Sequence, residues 1–99
     1  MSFLVRNTET RRRRGRPYEI LTKIAKKVPV VFGELGEKDC SDRFVDPVMD
    51  WADQEGLGYM AWAWNTASCS DFPALISSYA GKPTAYGVGV RAHFARVNP

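Results

Sequence analysis

Pro29-Val30-Val31-Phe32-Gly33-Glu34-Leu35-Gly36-Glu37 sets how the rest of the chain reads. Pro29 and the β-branched and aromatic Val30, Val31 and Phe32 make four apolar residues in a row, the pattern of a strand buried on both faces. Gly33 then permits a turn, which places Glu34 at the strand's C-terminal end. In parallel α/β architectures that end is where chemistry is placed. A second strand is expected over Gly58-Tyr59-Met60-Ala61-Trp62-Ala63-Trp64-Asn65. Alternation puts Met60, Trp62 and Trp64 on one side and Tyr59, Ala61 and Ala63 on the other.

Helices are expected around these strands. Pro17 to Lys27 opens with a proline in its first turn and carries an apolar stripe of Ile20, Leu21, Ile24 and Ala25. Val28-Pro29 ends it. After a polar loop from Glu37 to Arg43, Ser41 or Asp42 is suited to cap a second helix. Phe44, Val45, Val48, Met49 and Ala52 form that helix's inner face. Asp46, Asp50 and Asp53 fall on the other side, as a solvated surface. Gly56 suits a left-handed C-terminal cap. Leu75, Ile76 and Tyr79 make a short apolar element, and Ala80-Gly81-Lys82-Pro83 a turn. Thr84 then caps a last helix with Tyr86, Val90, Phe94 and Val97 at helical spacing. His93, beside that stripe, reads as a surface or packing residue.

The resulting order is α-β-α-β-α. Repetition of βα units with right-handed crossovers makes the two strands parallel neighbours. Two such strands leave unpaired edges, so completion by self-association into a homo-oligomer is expected.

The 99 residues suit one domain, at 44% hydrophobic and 25% charged. No apolar run approaches the roughly 20 residues of a membrane span, so no membrane partner is expected. The net charge of +3 is unevenly placed. Residues 1–28 hold nine Lys/Arg against two Glu, a balance of +7; residues 29–99 hold five against nine Asp/Glu, a balance of −4. The acidic body argues against nucleic acid as its ligand. Residues 1–16, with the run Arg11-Arg12-Arg13-Arg14, are expected to form a basic mobile arm ahead of a domain at 17–99. Arg14-Gly15-Arg16-Pro17 matches the core of the AT-hook, an extended minor-groove motif, as a minor DNA-binding alternative. Cys40 and Cys69 follow the two strands in corresponding loops. They read either as a disulfide or as two free thiols. No cluster has metal-ligand spacing, and neither metal nor cofactor is expected.

From Ile20 to Val97 the chain resembles the C-terminal part of glycoside hydrolase family 5, the cellulase family. The resemblance is carried by Pro29 to Glu37, by Gly58 to Asn65, and by Leu75-Ile76-Ser77-Ser78-Tyr79 followed by Gly81-Lys82-Pro83-Thr84-Ala85-Tyr86-Gly87. It implies the last two βα units of an eight-stranded barrel, about a quarter of a TIM barrel. It implies Glu34 as the nucleophile of a retaining β-glycosidase acting on cellulose or β-glucan linkages, with Trp62 as the platform under the sugar. Trp64 and Asn65 extend that substrate-binding set. The resemblance also suggests an exported protein, although the arginine-rich N-terminus is not followed by the apolar region of a secretory signal. The family's Asn-Glu-Pro motif, which carries the acid/base glutamate, does not occur in these residues. Glu37 is the candidate second carboxylate within the chain, and another subunit is the alternative source. Carbohydrate binding without turnover is the runner-up function.

Overall fold

A computed structural model describes residues 2–5 and 15–99. The elements are β1 (Ser2–Val5), α1 (Gly15–Ala25), β2 (Val31–Leu35), α2 (Val45–Glu55), β3 (Gly58–Ala61) and α3 (Ala85–Val97). The three strands form one open parallel sheet in the order β1-β2-β3. The architecture is thus α/β, with three successive βα units where the sequence indicated two strands. The added strand lies inside the stretch expected to be an arm. Ser2 to Val5 pairs with Val31 to Leu35 in parallel register. The arginine run 11–14 lies outside the described residues. Gly15, Arg16 and Pro17, from the stretch matching the AT-hook core, form the first turn of α1.

β2 is bulged. Phe32 pairs with Phe3 and Tyr59, whereas Leu35 pairs with Val5 and Ala61. β2 therefore spends one residue more than either neighbour between those pairs. Strict alternation would put residues three apart on opposite faces. The extra residue allows Phe32 and Leu35 both to be fully buried. Gly33 lies within this bulge, and the strand continues through Glu34 to Leu35.

The core lies between the sheet and its helices. Phe32, Leu35, Val45, Val48, Met49, Ala52, Tyr86 and Val90 are all buried in it, with Leu21 from α1. The alternation along β3 fits one covered face: Tyr59 and Ala61 are partly buried, while Met60 is exposed. Gly56 ends α2 in the left-handed conformation, φ 72°, and its N–H is directed to Ala52 and Asp53 carbonyls. Thr84 caps α3, its hydroxyl accepting from Gly87 N at 3.1 Å. Among the described residues, no helix is long and apolar enough to cross a membrane.

Candidate functional site

The C-terminal ends of β2 and β3 carry Glu34 and Trp62. Glu34 is partly exposed. Trp62 immediately follows β3; its N–H donates to Leu35 O at 2.8 Å, which ties it to the residue after Glu34. The residue is 43% exposed, and its ring lies 6.2 Å from that of Phe72. The Trp62–Ala63 peptide is cis. Ala63 N donates to Pro73 O at 2.7 Å, and Leu75 N donates to Ala63 O at 3.0 Å. The chain past β3 is thereby pinned to the 72–75 segment. Gly36 leaves room for this: a Cβ there would stand 2.9 Å from Pro73 Cβ and 3.0 Å from Trp62 O.

Tyr86 links both strand ends from α3. It is fully buried, and its hydroxyl is shared between Leu35 O at 3.0 Å and Trp62 O at 2.9 Å. Burial, and then the Glu37 charge, hold its phenol above the usual range. A buried tyrosine in an apolar stripe is legible from sequence; its two carbonyl partners, 51 and 24 residues away, are not.

The remaining residues of the sequence-based set do different things. Trp64 is 64% exposed. Asn65 closes a local turn, its Oδ1 accepting from Ala67 N at 2.7 Å. The Glu37 side chain is buried and caps α2, with Oε1 accepting from Phe44 N at 2.9 Å and Val45 N at 3.1 Å. This is the capping task that sequence spacing assigned to Ser41 or Asp42. Ser41 instead donates its hydroxyl to Glu37 Oε2 at 3.1 Å and Asp39 Oδ1 at 2.9 Å. Cys40 and Cys69 are joined in a disulfide, with Cα atoms 4.9 Å apart.

Burial pushes the Glu37 carboxyl up to about 7, helped by a hydrogen bond shared with Asp39; that bond holds Asp39 below its usual range. A carboxyl raised from about 4.5 keeps its proton in the folded chain after the unfolded chain has lost it. Stability from Glu37 is therefore full below pH 4.5 and declines up to about pH 7. The Asp39 contribution runs the other way, at lower pH. Urea midpoints taken between pH 4.5 and 7.5 should fall by an equivalent of roughly 2–3 kcal/mol. Glu37→Gln should flatten that slope.

A second polar cluster joins α2, α3 and β3. His93 is fully buried. Its Nε2 lies 2.8 Å from Asp53 Oδ2 and 3.0 Å from the Tyr59 hydroxyl, which donates to Asp53 Oδ1 at 2.9 Å. Its Nδ1 lies 3.0 Å from Arg96 Nη2, 3.1 Å from Asp46 Oδ1 and 3.5 Å from Asp50 Oδ1. Carboxylates therefore stand at both ring nitrogens, with the Arg96 guanidinium beside Nδ1. His93 and the aspartates are thus the polar joint between two helices: of the surface and packing readings of His93 the second holds, and the aspartates are not simply a solvated face. Asp46, Asp50 and His93 each offer one ligand atom within 4.8 Å of the others. Arg96 Nη2 bonds all three groups, at 3.2 Å from Asp46 and 3.3 Å from Asp50, so the cation these groups face is the protein's own.

Comparison with protein families, with curated proteins and with solved structures finds no match to this chain.

Proposed function

We propose that this chain carries the nucleophile side of a retaining β-glycosidase site, acting on β-glucosidic linkages of the cellulose or β-glucan type. The observation that carries this reading is the pairing of a partly exposed carboxylate, Glu34, with an exposed indole, Trp62, on adjacent parallel strand ends. Sugar rings present apolar C–H faces, for which a flat aromatic is the suitable support. The carboxylate attacks the anomeric carbon as the glycosidic C–O bond breaks, and water then cleaves the glycosyl ester. In this reading the sheet is part of a (βα) barrel, completed by further copies of the chain as a homo-oligomer.

Retention requires a second carboxyl about 5–5.5 Å from the first to protonate the leaving oxygen. Glu37, buried and holding α2, is poorly placed to approach a substrate. A neighbouring copy is the proposed source. The same burial of Glu37 favours a second reading, in which an isolated chain binds β-linked oligosaccharide without cleaving it.

The test is hydrolysis of an aryl β-glycoside and a soluble β-glucan by the purified chain beside Glu34→Gln. Turnover is expected to fall by at least roughly a thousandfold in the variant, at unchanged thermal stability. Equal rates in both proteins would overturn the nucleophile assignment. Sugar binding that persists in Glu34→Gln and is lost in Trp62→Ala, without turnover in either, would establish the binding reading.

A further inference from the structure

The connection from β2 to α2 holds an arrangement that the sugar site does not use. Glu37 is the acceptor for the first amides of α2, and its own surroundings come from the loop residues on both sides of Cys40. Asp39 is linked to Glu37 through the Ser41 hydroxyl. Ser41 donates to both carboxylates, and its N–H donates to Asp39 Oδ1 at 3.1 Å. Cys40, between them, has φ 60°. That left-handed conformation is uncommon for a residue with a side chain. The bond to Cys69 anchors this residue to the loop after β3. Both cysteines are half-buried, so a small thiol can reach them. The groups facing Glu37 are Asp39 and Ser41 from its own loop, the α2 amides, and Tyr86 from α3.

We propose that the Cys40–Cys69 disulfide is a redox-operated latch on the N-terminus of α2. The reductant is a dithiol. Its thiolate attacks one cysteine sulfur, the S–S bond breaks, and a mixed disulfide forms. The second thiol of the reductant then displaces that cysteine, leaving two protein thiols and an oxidised dithiol. Cys40, no longer tethered, relaxes to negative φ and takes Asp39 and Ser41 with it. Glu37 loses the partners that hold it in place, and the amides of Phe44 and Val45 lose their acceptor. The opening stays local, because Val48, Met49 and Ala52 keep the later turns of α2 in the core. This inference rests on the loop geometry alone and does not depend on the glycosidase reading.

The test is amide hydrogen exchange on the full chain, as purified, after reduction with dithiothreitol, and after reoxidation. Exchange at Phe44 and Val45 is expected to rise by roughly tenfold or more on reduction and to revert on reoxidation. The Trp62 amide, bonded to Leu35 O, should keep its rate. Cys40→Ser/Cys69→Ser should match the reduced chain. Oxidised Glu37→Leu should expose the same two amides with the disulfide intact, and Glu37→Gln, which retains an acceptor oxygen, should protect them. Unchanged exchange at Phe44 and Val45 after reduction would overturn the proposal. So would an equal rise at Trp62, since the disulfide would then staple the whole fold. Two free thiols in the purified, unreduced chain would also overturn it.

Discussion

Gly87→Ala is expected to destabilise the chain by about 3 kcal/mol or more, and to lower the unfolding temperature by roughly 12–24 °C. Gly87 lies in the first turn of α3, where alanine is ordinarily the better residue by about 1 kcal/mol. Here a Cβ would run into the carbonyl oxygen of Leu75, with Pro83 Cβ a further 3.3 Å neighbour. The Leu75 oxygen also accepts from Thr84 N at 3.0 Å, so it is fixed by the residue that caps the helix. Backbone on both sides leaves no flexible group to give way. α3 would have to lift from the 74–76 segment, carrying Tyr86 away from the two carbonyls it bridges. Val88→Ala, one residue along on an exposed position, should change stability by less than about 0.5 kcal/mol. Thermal unfolding of the two variants beside the parent decides it. A Gly87→Ala chain within 1 kcal/mol of the parent would show that the close approach is not what seats α3.

His93→Ala should cost about 3–4 kcal/mol by urea unfolding. The substitution empties a fully buried position and removes both ring nitrogens from a network spanning α2, β3 and α3. It also removes the imidazole beside Asp46 and Asp50, leaving them to Arg96. His93→Phe should recover part of the loss by filling the volume. It would still leave Asp53 facing the Tyr59 hydroxyl without the imidazole. If alanine costs less than about 1 kcal/mol, the carboxylates are satisfied by water and the joint is not structural.

These residues also show what the chain discloses before it folds. The β2 run, the α2 stripe, the glycine at 56 and the Thr84 cap were all legible, because each is a local pattern within one turn or one strand. His93 was not. Apolar spacing favoured Phe94 and Val97 as the inner face of α3, yet both are about two-fifths exposed and His93 is buried. Its burial depends on three aspartates 40 or more residues away that share one face of α2 and meet the ring at both nitrogens. β1 was missed for a related reason. Four apolar or small residues beside an arginine-rich stretch carry little strand signal of their own, and what makes Ser2 to Val5 a strand is the open edge of β2. Gly33 read as a turn because glycine usually marks one, whereas it sits within a bulge that carries the strand two residues further. Glu37 was visible as a carboxylate but not as a cap. The sequence spacing favours residues next to a helix start, and Glu37 reaches the first amides of α2 from eight residues upstream of Val45.

The bond between Cys40 and Cys69 also changes how the molecule bears load. It closes a covalent ring of 29 residues' separation, and that ring contains all of α2 and β3. Tension applied at the two ends of the chain passes from residue 40 to residue 69 through sulfur and bypasses the polypeptide between them. The oxidised chain therefore extends about 100 Å less than the reduced one when pulled straight. One helix and one strand are exempt from stretching, while β1, α1, β2 and α3 take the whole force.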